Sequence, residues 1–330
     1  MVLKIIYFGM SVSLVLSIII IPLIIPYMKR LKIGQSIRIE GPKTHQSKTG
    51  TPTMGGIVFS VVTFITVFLF YSFYNRGLIN FNINIWVLIF VPLFGYALIG
   101  FIDDYLIVVR KNNNGLKART KFFLQIFIAG LFFYLYLVQG YSTAIHITKN
   151  FIIDFKWFYG IITFFMLVGG ANAVNLTDGL DGLAAGLSSF SIATFTFIAY
   201  INGQYDLMLF GAAILGTILG FLIFNSHPAK IFMGDTGSLT LGAAISVMAI
   251  LTKWELLLIL VGGVFVLETL SDILQVFYFK KTKGKRLFKM APLHHHFELS
   301  GFKESTVVLI FYFMGFVFSL IGIVIVIVNT

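Results

Sequence analysis

An all-α polytopic membrane protein is the fold class this sequence predicts, and three observations carry it. Hydrophobic residues fill 58% of the 330 positions and charged residues only 11%, against about 45–50% and 25% in soluble domains. Apolar runs long enough to cross a ~30 Å hydrocarbon layer as helices recur along the chain. Basic residues gather in alternate connections between those runs, which gives the runs an orientation.

The first run, 5–28, is too long for a signal-peptide core and no small-residue cleavage pattern follows, so it reads as a retained helix bent by Pro22 and Pro26. Runs at 54–74 and 83–103 come next, the second ending on Asp103-Asp104. The fourth, 122–139, follows Lys121, which shares a helix face with Gln125 at i, i+4. The fifth, 157–174, leads into Asn172, Asn175, Asp178 and Asp181, spaced every three residues; Gly179 and Gly182 predict that the helix breaks there into a turn. Runs at 184–202 and 207–224 follow, and the polar stretch 225–238 leads into 238–252. A cut near residue 253 separates that run from 255–279, which carries Glu268 and Asp272 well inside it. The last run, 306–328, follows His294-His295-His296. Ten transmembrane helices result, in a single integral-membrane domain over 1–330, because the longest polar connection, roughly 29–53, leaves no room for a soluble domain.

If the connections after the first, third, fifth, seventh and ninth helices share one face, that face holds nineteen of the 24 Lys and Arg. Positive charge marks the cytoplasmic side, so both termini are expected to be extracytoplasmic. This topology explains most of the net charge of +11. The remainder suits anionic lipid head groups or phosphorylated substrates. Nucleic acid is not an expected partner, since the basic residues sit in short loops flanking the membrane. The absence of cysteine removes disulfides and thiol catalysis.

Only thirteen acidic residues occur, and five of them crowd into three polar breaks at 100–105, 172–182 and 233–238. All three fall on the face expected to be cytoplasmic. Acids near hydrocarbon are costly and mark functional sites, so the breaks point to a metal or phosphate site at a bilayer surface. Asp103 and Asp104 end a helix, where its dipole disfavours carboxylates; a metal ion or the following Lys and Arg residues must compensate, unless the end is simply solvated. The segment from Asn172 to Asp181 offers hard oxygen ligands and amide donors, which suit a divalent cation with a polar substrate. Its plainer reading is a capped loop with Asp181 as the next N-cap.

Asp235 lies between two glycines before a helix, where backbone N–H groups can meet a phosphate while the carboxylate holds its metal. Phe232, by residue type alone, is an interfacial anchor. The triple histidine has no cysteine beside it and suits phosphate contact better than zinc. Lys43, His45, Lys48, Thr51, Thr53, Gly55 and Gly56 form a basic loop that spacing alone assigns to solvent. Glu268 and Asp272 need a partner or a water-filled cavity.

Four segments together resemble one family. The runs Thr51-Pro52-Thr53-Met54-Gly55-Gly56, Asn175-Leu176-Thr177-Asp178-Gly179-Leu180-Asp181-Gly182-Leu183, Phe232-Met233-Gly234-Asp235-Thr236-Gly237-Ser238 and Ala291-Pro292-Leu293-His294-His295-His296-Phe297-Glu298 are similar to the phospho-N-acetylmuramoyl-pentapeptide transferases, in order and over nearly the whole chain. The triple-His segment resembles these enzymes rather than relatives that transfer N-acetylglucosamine phosphate. The resemblance implies a ten-helix homodimer in the bacterial cytoplasmic membrane with its active-site cleft on the cytoplasmic face. It implies Mg²⁺-dependent transfer of phospho-N-acetylmuramoyl-pentapeptide from UDP-MurNAc-pentapeptide to undecaprenyl phosphate, with release of UMP. That reaction gives the first lipid intermediate of peptidoglycan and serves cell-wall biogenesis, cell shape and cell division.

By the same resemblance, Asp235 is the Mg²⁺ ligand, Asp103 directs or deprotonates the lipid phosphate, and Asp104 assists. Asn172, Asn175, Asp178 and Phe232 belong to the nucleotide-binding set, with Phe232 near the uracil. Lys48, Thr53, Lys121, Asp181, His294, His295 and His296 surround the pyrophosphate and sugar, His294 and His295 among the catalytic group. The alternative within the superfamily is another polyprenyl-phosphate N-acetylhexosamine-1-phosphate transferase. An alternative of another class is a cation-coupled transporter using Glu268 and Asp272. It is disfavoured because the acidic breaks lie on one face and not at the midplane.

Overall fold

A computed structural model describes residues 2–30, 48, 50–75, 77, 80–110, 115–148 and 151–329. Lys43 and His45 of the basic loop lie outside the described residues. The helices are α1 (Val2–Arg30), α2 (Ile57–Leu69), α3 (Ile83–Arg110), α4 (Ala118–Val138), α5 (Tyr159–Phe164), α6 (Gly170–Thr177), α7 (Leu183–Ile201), α8 (Tyr205–Asn225), α9 (Gly234–Leu251), α10 (Leu257–Val261), α11 (Gly263–Lys281), α12 (Leu293–Glu298) and α13 (Glu304–Asn329). The π-helical turns Phe70–Tyr74 and Phe165–Gly169 extend α2 and join α5 to α6. Among the described residues, nine helical segments are long and apolar enough to cross a membrane, the last being Glu304–Asn329.

The expected span at 255–279 is broken at Gly262 into α10 and α11. Glu268, Asp272, Lys280 and Lys281 dilute the apolar character of α11. The expected cut near 253 is present, because α9 stops at Leu251. Two boundaries differ from expectation. α3 runs seven residues past Asp103 to Arg110, carried by the apolar residues from Tyr105 to Val109. α9 starts at Gly234 instead of 238, which puts Asp235 in its first turn. The chain is also not wholly α-helical. An antiparallel hairpin of β1 (Ala144–Thr148) and β2 (Phe151–Asp154) stands between α4 and α5, where the β-branched Ile145, Ile147, Ile152 and Ile153 suit pleated strands.

At the centre stands α9, surrounded by α3, α6, α7 and α2. Its side chains are small where neighbours come closest, as membrane helix packing requires. Gly242 meets the backbone of Gly170 and Ala171, and Gly237 meets Gly56. Around this core, α1 packs on α8 and α13 on α7. Exposed residues such as Leu23, Phe127 and Leu309 cover outer faces. These faces are what a helix bundle in lipid presents, since lipid tails are as apolar as leucine.

Candidate active site

Two sequence motifs meet through backbone bonds and build the floor of the site. Phe232 N–H donates to Pro52 O at 2.8 Å, and Gly55 and Gly56 N–H donate to Phe232 O and Met233 O at 2.9 and 3.0 Å. Gly234 follows at φ +68°, a conformation that suits glycine, and lets Thr53 Oγ1 and the Asp104 carboxylate approach. The chain then enters α9.

Asp103 and Asp104 divide their work along a continuing helix, not at its end as expected. Asp104 Oδ1 accepts Asp235 N–H at 3.1 Å. Its Oδ2 accepts Thr236 N–H at 2.9 Å and Thr236 Oγ1 at 2.6 Å. Asp104 therefore caps the first turn of α9 from another helix, where free N–H groups need an acceptor. Asp103 points elsewhere. Its Oδ1 accepts Leu116 N–H at 2.7 Å, and its carboxylate faces those of Asp235 and the Lys121 ammonium.

Asp235 sits where α3, α4, α6 and α9 converge. Lys121 Nζ donates to its Oδ2, and Asn175 Nδ2 donates to its Oδ1 at 2.7 Å and to Ser238 Oγ at 2.8 Å. One turn earlier, Asn172 Nδ2 donates to Gln125 Oε1 at 2.8 Å and Val168 O at 2.7 Å. Lys121 and Gln125 thus serve one face of α4 as expected, each holding one member of the site. α6 ends at Thr177, and Asp178 follows in the predicted turn. The Asp178 carboxyl is pushed up to about 8, first by burial and then by facing Asp235, Asp104 and Asp181.

The donor set fits a divalent cation. Asp103, Asp104, Asp178 and Asp235 crowd together with Lys121 as the ammonium that bonds to the cluster, an excess of negative oxygen ligands that a hard cation would neutralise. Asp235, beside Asp103 and partly exposed, is placed to hold it.

Asp181 joins a second network. Its Oδ1 accepts Lys48 Nζ at 2.7 Å; its Oδ2 accepts Ala229 N–H at 3.0 Å and lies 3.0 Å from His227 Nδ1. Glu304 Oε1 accepts Lys48 Nζ at 2.5 Å and the Asp181 N–H at 2.8 Å. The N-cap of α7 is Gly182, so the Asp181 side chain is an inter-segment tie and not the expected N-cap. The ligand atoms of Asp181, His227 and Glu304 lie within 4.8 Å of one another, close enough to share an ion. Lys48 already supplies the positive charge there, so the group is closed as an ion-pair network. Removing that charge leaves two largely buried carboxylates with only backbone N–H groups and His227 as partners. Lys48→Met is expected to destabilise the protein by about 3–5 kcal/mol, read as a lower unfolding midpoint in detergent; an unchanged midpoint would show that the network carries no stability.

Of the three histidines, His294 alone is fully buried; its ring pairs with Glu268. His295 Nδ1 lies 3.0 Å from Glu298 Oε2, and His296 Nδ1 accepts Lys289 N–H at 3.1 Å. Phe232 is half-buried beside the floor. His227, Glu304 and Thr236 are contributors that the sequence reading did not single out. An acid in the first turn of the last helix was the one signal available for Glu304.

A polytopic helix bundle with an acid, amide and lysine cluster at one end defines a membrane-embedded transferase site, and the comparisons agree with that class. The model of Glycosyl transferase family 4 matches residues 85–253. The phospho-N-acetylmuramoyl-pentapeptide-transferase of Geobacillus thermodenitrificans is 51% identical over 324 residues, covering 97% of each chain. Those of Geobacillus kaustophilus and Bacillus subtilis are 50% and 48% identical, covering 96% and 97% of each chain. The chain belongs to the phospho-N-acetylmuramoyl-pentapeptide-transferase family.

Proposed function

We propose that this chain transfers phospho-N-acetylmuramoyl-pentapeptide from UDP-MurNAc-pentapeptide to undecaprenyl phosphate, releasing UMP, as the first membrane step of peptidoglycan synthesis. The observation that carries the reading is the meeting of Asp103, Asp178, Asp235 and Lys121 at one end of a membrane bundle. Identity of 48–51% to relatives of that name supports it. The reading includes ten crossings, one domain over 1–330, both termini extracytoplasmic, a cytoplasmic cleft and a homodimer. The nineteen basic residues of the site-end connections support that orientation.

Asp235 would hold Mg²⁺ with help from its neighbouring carboxylates. When bound, the ion neutralises charge on the pyrophosphate and on the leaving UMP. Asp103 orients the lipid phosphate or takes its proton, and Lys121 Nζ meets phosphate oxygens. Asp104 holds the first turn of α9, and with it Asp235, in place. Asn172, Asn175, Asp178 and Phe232 receive the nucleotide. Lys48, Thr53, Asp181, His294, His295 and His296 frame the pyrophosphate and sugar. A lipid phosphate is already a competent nucleophile, so direct displacement needs no covalent enzyme intermediate.

A UMP-release assay in detergent, with and without Mg²⁺, tests the reading. Activity is expected with UDP-MurNAc-pentapeptide and not with UDP-N-acetylglucosamine. The reverse preference would favour another N-acetylhexosamine-1-phosphate transferase.

A further inference from the structure

The most deeply buried acid in the described residues is outside the carboxylate cluster. Glu268 of α11 has no exposed surface, and neither has His294. The His294 backbone N–H donates to Glu268 Oε1 at 3.3 Å, and the ring Nδ1 lies 3.1 Å from Oε2. A carboxylate at this position accepts from the ring when Nδ1 carries the hydrogen. The other ring nitrogen, Nε2, is buried with no hydrogen-bond partner. It is packed against Gly179, where a Cβ would meet Nε2 itself, so a ligand donor reaches it only when the Asp178–Gly179 turn gives way. Gly179 belongs to the turn between Asp178 and Asp181. A buried polar atom without a partner needs an explanation, and a ring facing a substrate loop supplies one.

We propose that Glu268 is a positioning residue for the transfer: it fixes the Nδ1–H form of His294 and turns Nε2 toward the Asp178–Gly179 turn, to accept a hydrogen bond from a hydroxyl or amide N–H of the bound sugar nucleotide. The proposal rests on the transferase reading. It accounts for a fully buried acid within α11 and gives Glu268 a partner on the site side, with no transport role. The logic is that of any imidazole held in one tautomer by a carboxylate behind it. The segments that meet here also carry Asp272, one turn along α11, Asp178 and Asp181 on either side of the Gly179 turn, and the His295–Glu298 pair.

Glu268→Gln offers one acceptor oxygen in place of two, so one of the two bonds to His294 is lost while side-chain volume is kept. In the UMP-release assay with UDP-MurNAc-pentapeptide, kcat/KM is expected to fall about ten- to a hundredfold, as for other residues that orient an imidazole. The unfolding midpoint in the same detergent should stay within a few degrees. A value of kcat/KM within twofold of wild type, or a fall matched by a collapse of the midpoint, would overturn the positioning role. Nitrogen-15 NMR of histidine-labelled wild-type protein, with His294→Asn identifying the signal, provides an independent readout. The expected form carries its hydrogen on Nδ1 alone; a ring protonated on Nε2, neutral or cationic, overturns the proposal even if Glu268→Gln cannot be purified folded. If wild-type protein releases no UMP, the transferase reading falls, while the tautomer result still decides the Glu268–His294 arrangement.

Discussion

Asp235→Asn is expected to abolish Mg²⁺-dependent UMP release, by on the order of a thousandfold or more, in a protein that still folds and inserts. The substitution is nearly isosteric but removes the charge. The asparagine keeps one acceptor oxygen, so it can serve Lys121 or Asn175 but not both as Asp235 does. Folding should tolerate the change, because it removes one negative charge from a crowd formed with Asp103, Asp104 and Asp178. The checks are UMP release across a Mg²⁺ titration and the unfolding midpoint in detergent. Near-normal turnover at saturating Mg²⁺ would sink the metal assignment. Lost turnover with a lost midpoint would move Asp235 from the chemistry to the architecture.

Much of this site was legible in the sequence because acids are so scarce. Asp103, Asp104, Asp178, Asp181 and Asp235 stood out by placement alone, and the structure brings all five to one end of the bundle. What each oxygen does was not legible. The bond from Thr236 to Asp104 spans 132 residues and that from Lys121 to Asp235 spans 114, so no local spacing encodes them. The expected end of the third helix at residue 103 failed for a physical reason. A polar pair interrupts an apolar run without breaking backbone hydrogen bonds, and the helix continues to Arg110. Likewise the hairpin at 144–154 is too short for a periodicity to register among membrane-length runs. The partner that Glu268 required is His294, which comes to it only because the connection 282–292 between α11 and α12 folds back.

The glycine at position 100 supports a sharper test of how the floor of the site is built. Gly100 and Asp104 are four residues apart on α3 and so share a face. Asp104 ties down the first turn of α9, and Gly100 lets that turn approach, since a Cβ there would run into the Asp235 carbonyl and the Thr236 amide. Those atoms are backbone and cannot rotate aside. Gly100→Ala therefore either pushes α9 outward, loosening the bonds from Asp104, or bends α3. Overpacking of this kind costs about 1–3 kcal/mol, and a displacement near 1 Å at Asp235 costs roughly a hundredfold in rate. Ordinary helix preference points the other way, because a glycine inside a helix is about 0.5–1 kcal/mol worse than alanine. Gly130 of α4 is the matched control, with open space where its Cβ would stand. Gly130→Ala is expected to keep full turnover and to hold or raise the unfolding midpoint. Gly100→Ala is expected to lose both activity and midpoint. If the two substitutions behave alike, close approach of α3 and α9 at Gly100 does not set the position of Asp235, and the placement must come from its bonds to Asp104, Lys121 and Asn175.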